Sequence, residues 1–127
     1  MDPLTPMRIV VADSQSDVRY ALRVLLQLVR ELHVEVIAEV MDADGLYRVL
    51  SSRTADLLLL DWSLPDLPQE RRLQVVREKS PGMRIIVLSG RPEVQEQVLA
   101  SGADAFVSKI DSVGPLINAI RSLRATT

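Results

Sequence analysis

The chain has 127 residues, 47% of them hydrophobic and 25% charged, which is the size and balance of one globular domain that needs no covalent staple. It contains no cysteine and one histidine, His33, so disulfides, thiolate metal centres and a histidine-built metal site are excluded. A net charge of -2 with scattered basic residues argues against a dedicated nucleic-acid surface. No apolar run approaches the ~18 residues of a membrane span or the core of a leader, so a cytoplasmic protein is expected.

Residues 1–6 hold two prolines and no periodic pattern, and read as a tail. A first strand covers about Arg8 to Ala12. Val18, Leu22, Leu25 and Val29 then recur at helical spacing, with Leu26 widening the stripe and Ser14 or Ser16 placed to cap the start. Glu35 to Val40 alternates polar and apolar, as an edge strand does. A short helix follows with Ala43, Leu46, Val49 and Leu50 inward. Leu57 to Leu60 is the most apolar strand and is expected at the centre of a sheet.

Trp62 to Gln69 carries two prolines and is read as a loop. The next helix turns Leu73, Val76 and Val75 inward and stops at Ser80-Pro81-Gly82. Arg84 to Leu88 is the fourth strand. Pro92 suits the first turn of a helix and Gly102 its C-terminal cap. Ala105 to Ser108 is the fifth strand, and Val113, Leu116, Ile117, Ile120 and Leu123 mark a last helix, followed by a tail at 125–127. His33 is read as a surface residue at a helix end.

Strand and helix thus alternate five times. Right-handed crossovers on both faces make this an α/β protein with a five-stranded parallel doubly wound sheet. Five strands favour the flavodoxin-like order 2-1-3-4-5, in which the first and third strands are neighbours at the switch point. Asp13, Asp61, Ser89 and Lys109 each follow one of the apolar runs, so all four fall on the carboxyl rim, where ligands of such sheets bind. Two carboxylates beside an ammonium suit a small hard cation next to an anion site. A carboxylate can also act as a nucleophile toward phosphorus, with lysine and hydroxyl groups holding the phosphoryl oxygens.

These residues stand in motifs: Val10-Val11-Ala12-Asp13 followed by Val18-Arg19, Leu59-Leu60-Asp61 with Pro65 four residues on, Val87-Leu88-Ser89-Gly90, and Gly102-Ala103-Asp104-Ala105-Phe106 leading to Lys109. In that order and spacing the chain resembles a response-regulator receiver domain of two-component signalling, over about residues 7 to 124. The Val18-Arg19 pair and the lack of a proline after Lys109 look more like receivers that precede helix-turn-helix outputs.

The resemblance implies a role for each position. Asp61 matches the phosphoacceptor. Asp13 matches the first of an acidic pair that holds Mg2+, and the backbone carbonyl of Ser63 matches a further metal ligand. Ser89 matches the switch hydroxyl, Phe106 the switch aromatic and Lys109 the lysine that pairs with a phosphoryl oxygen. The domain would be a phosphoacceptor rather than an enzyme, with self-catalysed phosphorylation and dephosphorylation only. The implied partners are a sensor histidine kinase or phosphotransfer protein, and an output domain or downstream protein. No membrane and no direct nucleic-acid contact by this domain are expected, and the assembly is a monomer or a weak phosphorylation-dependent homodimer.

The chain departs from the family in four places. Ser14 stands where a second acid is usual, Asp66 and Gln69 replace glycines common after the phosphoacceptor, and Trp62 is an unusually large neighbour for Asp61. Two functional readings therefore stand: a phosphorylatable receiver, and a degenerate receiver that binds a partner without phosphorylation. A flavodoxin-like cofactor enzyme is disfavoured, because no glycine-rich or hydroxyl-rich phosphate loop follows the first strand.

Overall fold

The computed structural model describes residues 5–68, 70–111 and 113–125. In chain order the strands and helices are β1 (Met7–Ala12), α1 (Ser16–Leu28), β2 (Val34–Val40), α2 (Ala43–Ser52), β3 (Leu57–Asp61), α3 (Arg72–Lys79), β4 (Arg84–Ser89), α4 (Gln95–Ala100), β5 (Ala105–Ser108) and α5 (Val113–Ala125). Single 3-10 turns lie at Arg30–Leu32 and Pro92–Val94. The five strands form one parallel sheet in the order β2-β1-β3-β4-β5. The expected order holds, with β3 central and β2 at an edge. Most of the residues read as tails, 1–4 and 126–127, lie outside the described residues, as does Gln69.

The continuous apolar runs follow from burial on both faces. Val10, Ala12, Leu58, Leu60, Ile85 and Val87 pack with Leu46 and Leu50 of α2, Leu73 and Val76 of α3 and Val98 of α4. Their alternates Ile9, Val11, Leu57, Leu59, Ile86 and Leu88 pack with Leu26 of α1 and Leu116, Ile120 and Leu123 of α5. Leu57 to Leu60 are fully buried. Full burial of such a side chain is worth about 1.5–3 kcal/mol, so β3 alone anchors the stack. Polar residues can enter a strand of this kind only where it ends. Asp13 and Asp61 therefore stand just past or at the last paired positions of β1 and β3, whose ends align through Ala12 and Leu60.

Three local expectations need correction. Neither Ser14 nor Ser16 caps α1. Its N-cap position is Gln15, whose side chain makes no capping bond, and the Asp13 carboxylate takes the Gln15 N–H instead. Val113, one of the residues that marked the last helix, is its first residue and is exposed, so the buried stripe begins at Leu116. The helix read from Pro92 to Gly102 begins as a 3-10 turn. Gly102 does end it, with a φ of 106° that only glycine adopts freely. Asp42 is a cap that was not foreseen, accepting from the Gly45 N–H at the start of α2.

Candidate functional site

Strand ends bring the rim residues together. Asp13 and Asp61 are both buried, at 1% and 6% exposure. Lys109, one residue past β5, reaches back across the end of β4. Its Nζ lies 2.7 Å from Asp13 Oδ2 and 3.4 Å from Asp61 Oδ1. The Lys109 backbone N–H donates to the Ser89 carbonyl at 2.8 Å, which fixes the root of the side chain. Ser89 closes β4, is buried, and its Oγ accepts the Arg91 N–H at 3.0 Å. Asp13, Asp61 and Lys109 thus touch, and Ser89 joins them through the backbone.

Each carboxylate is oriented by the chain that follows it. Asp13 Oδ1 accepts the Gln15 N–H at 2.9 Å, and the Asp13 carbonyl accepts from Arg19 Nη1 at 2.6 Å. Asp61 Oδ1 accepts the Ser63 N–H at 3.1 Å. Both contacts to Asp61 fall on Oδ1. Among the described residues Oδ2 accepts no hydrogen bond, and it is not sealed from solvent. A carboxylate held by one oxygen and open at the other is arranged to react or to ligate.

The charge count points the same way. Two nearly buried carboxylates share one ammonium, which leaves about one negative charge uncompensated where desolvation makes it costly. Asp13, Asp61 and the backbone carbonyl of Ser63 could supply oxygens to a cation. Among the described residues no group of three or more histidine, cysteine, aspartate or glutamate side chains gathers around one point. Ser14 is exposed and neutral. Asp66 is exposed in a left-handed turn with φ 72°, and its carboxylate bonds to none of the site residues. Phe106 is half-buried on β5 against the cluster shared with α2, α3 and α4, opposite Val87 in register.

The family model for the response regulator receiver domain matches residues 9–121. The chain belongs to that family. The oxygen regulatory protein NreC of Staphylococcus epidermidis is 30% identical over 122 residues, covering 92% of this chain and 54% of NreC. SgaR of Hyphomicrobium methylovorum is 29% identical over 119 residues, covering 92% of this chain and 56% of SgaR. The chain spans about half the length of the curated relatives it matches.

Among solved structures, the LuxR-family two-component response regulator from Aurantimonas sp. SI85-9A1 superposes with a TM-score of 0.83 at 25% identity, covering 96% of this chain and 87% of that one. The isolated REC domain of RcsB from Salmonella enterica serovar Typhimurium, solved with a phosphomimetic, gives a TM-score of 0.84 at 24% identity, covering 95% and 90%. That second likeness concerns the fold alone. The chain is accordingly a receiver domain of a two-component response regulator, a signalling domain. Among the described residues no helix is long and apolar enough to cross a membrane.

Sequence reasoning missed two arginines at this receiver's rim. The Val18-Arg19 motif carries no sign that Arg19 donates to the Asp13 carbonyl. Arg72 places its guanidinium carbon 5.1 Å from the centre of the Trp62 ring. Nothing in the spacing signals that contact, because α3 starts after a loop whose path the sequence leaves open.

Proposed function

We propose that Asp61 accepts a phosphoryl group from a histidine kinase or phosphotransfer protein, and that the modified rim switches a protein-binding face. The observation that carries the reading is the asymmetry of Asp61: Oδ1 is tied to Ser63 and Lys109, while Oδ2 is free and reachable. In the step itself Oδ2 attacks phosphorus as the P–N bond to the donor imidazole breaks, and the electron pair stays on that nitrogen. Lys109 is already within 3.4 Å of Asp61, and its ammonium exchanges carboxylate partners for a phosphoryl oxygen. The Ser89 hydroxyl, which now only accepts, is available to donate to a second phosphoryl oxygen.

The donor set fits magnesium, which takes one or two carboxylates with waters and phosphate oxygens. Asp13, Asp61 and the Ser63 carbonyl would hold it, and when bound it supplies charge neutralisation at the transferring phosphoryl group. The uncompensated negative charge beside Lys109 supports this assignment.

The face that responds is the one carried by α4, β5 and α5, to which Ser89, Phe106 and Lys109 connect the site. Outward residues on α5 include Asn118, Arg121 and Ser122, which suits a monomer or weak dimer that phosphorylation strengthens. Relatives named as transcription regulators are about twice the length of this chain, which supports an output that regulates transcription. The second reading, a degenerate receiver that binds its partner without phosphorylation, rests on Ser14 in place of an acid.

Intact mass after incubation with acetyl phosphate and magnesium separates the two. The expected result is a gain of one phosphoryl group, absent in Asp61→Asn. An unmodified wild-type mass would refute the phosphoacceptor and leave the interaction module.

A further inference from the structure

Beside Asp61 lies a cleft whose two guanidiniums the proposed phosphoryl transfer does not use. The loop leaving β3 and the turn leading to α4 enclose an open cleft of about 330 Å3, lined by Trp62, Ser63, Arg72, Arg91, Val94 and Gln97. That volume falls at the low end of small-molecule pockets, roughly 300–1,000 Å3. Its lining carries two guanidiniums and no carboxylate.

Arg72 is the unusual member. It is half-buried, it stacks on Trp62, and among the described residues it makes no hydrogen bond or ion pair. Its Nε is the one buried side-chain nitrogen or oxygen without a partner among the described residues. A guanidinium has five donors in a fixed fork, and folded proteins rarely leave such a group unmet. The terminal nitrogens have no protein partner among the described residues and are not sealed, and Arg72 lines both this cleft and a neighbouring one that also holds Glu70 and Arg71. Stacking on the indole holds the fork in place, so little entropy remains to be lost on binding. The Arg91 side chain pairs only with Glu93 among the described residues, through an exposed contact at 3.1 Å that a competing anion displaces at little cost. Ser63 and Gln97 add neutral donors.

We propose that this cleft is a binding site for a free phosphate-type oxyanion, inorganic phosphate or a small phosphate monoester, held by the Arg72 fork and Arg91 against Trp62. None of Asp13, Asp61 and Lys109 lines the cleft, which shares only Ser63 with the proposed phosphoryl site, and binding there does not depend on phosphorylation of Asp61. A planar fork suits a tetrahedral oxyanion better than a point charge does, because two oxygens are met at once.

The test uses the Asp61→Asn variant without magnesium, so that no phosphoryl transfer occurs. Inorganic phosphate is titrated at constant ionic strength, following the Nε–H resonances of the arginines and the indole N–H of Trp62 by NMR. The Arg72 and Trp62 signals are expected to shift together and saturate in the millimolar range. Arg72→Gln should weaken binding about tenfold or more, the loss of one charge-assisted contact. Arg72→Lys should restore part of the affinity, and Arg91→Gln should weaken it severalfold. A monoester such as glycerol phosphate should bind with the same footprint. Shifts centred on Lys109 and Ser89 with Arg72 unmoved, or shifts that never saturate, would overturn the proposal. If Arg72→Gln does not fold, the footprint on Arg72 and Trp62 together with the Arg91→Gln titration still decides.

Discussion

The two ends of this sheet carry the same residue types and treat them in opposite ways. At the amino end Asp104 precedes β5. Its Oδ2 accepts from Arg77 Nη2 at 2.9 Å and from the Ile85 N–H at 2.8 Å, and its Oδ1 lies 3.5 Å from Arg84. Asp56 precedes β3 and takes the Arg8 N–H at 2.8 Å. Each carboxylate there takes the N–H of the second residue of a neighbouring strand, and Asp104 meets two guanidiniums. At the carboxyl end two carboxylates share one ammonium, and one oxygen stays free. One end is a set of staples in which each carboxylate has its partners, and the other is a charged site held short of compensation. Stability resides in the first arrangement and reactivity in the second.

That contrast is broken most sharply by removing one acid from each end. Asp104→Ala should destabilise the fold by about 2–4 kcal/mol, because it frees a buried strand N–H and two guanidiniums from charged hydrogen bonds. Asp61→Asn should cost less than about 0.5 kcal/mol or stabilise, since it relieves two carboxylates crowded against one ammonium. Urea unfolding of both variants at neutral pH measures the difference. Equal losses would mean that the two ends are built alike.

A pH series sharpens the same point. Burial pushes the Asp104 carboxyl up, but the Arg77 and Ile85 hydrogen bonds, with the charges of Arg77 and Arg84, outweigh it and hold the group below its ordinary value of 3.8. A depressed folded-state pKa stabilises above the unfolded value, and that stability is lost as pH falls through the folded one. The gap between wild type and Asp104→Asn should therefore be full at pH 6 and shrink below about pH 4. A gap that grew on acidification would reverse the sign and the argument.

The carboxyl end is also where a single acid should change ligand binding. Ser14→Asp places a carboxylate beside Asp13 at an exposed position, where a pair with a cation is screened and worth about 1 kcal/mol. Magnesium affinity should rise roughly fivefold by that measure. Titration followed by Trp62 fluorescence, with calorimetry as a check, gives the ratio. Unchanged affinity would show that Asp13, Asp61 and backbone oxygens already satisfy the ion. The same substitution at the amino end, Thr54→Asp before Asp56, should leave magnesium binding unchanged.

What the sequence made legible follows from the same geometry. Strand ends are fixed by the apolar period and by element order, so Asp13, Asp61, Ser89 and Lys109 could be placed on one rim without coordinates. Contacts made by long side chains across loops are not fixed in this way. Arg72 meets Trp62 only because the chain after β3 returns α3 to it, and Arg77 finds Asp104 across 27 residues where the segment before β5 passes the end of α3. The caps failed for a related reason. Ser14 is a good capping residue by type, but Asp13 one step earlier already takes the Gln15 N–H. A local propensity lost to a group fixed by the sheet.

The smallest expected effect lies in the two left-handed residues, one at each end. His33 has φ 52° and closes the 3-10 turn before β2, while Asp66 has φ 72° in the loop after β3. A left-handed conformation costs a side-chain-bearing residue roughly 1–2 kcal/mol in general, and less for aspartate, whose short side chain bonds locally. Glycine removes that strain but adds freedom to the unfolded chain, which returns part of the gain. Asp66→Gly should therefore stabilise by only about 0.5 kcal/mol. His33→Gly should gain less, because the His33 carbonyl already accepts from the Met7 N–H and from Arg124, contacts that a looser turn weakens. Thermal melts of the two single variants and the double variant resolve shifts of a few degrees. A loss of stability in Asp66→Gly would mean that the Asp66 side chain holds the loop after Asp61 in place, and the rim would then have a support that its hydrogen bonds do not reveal.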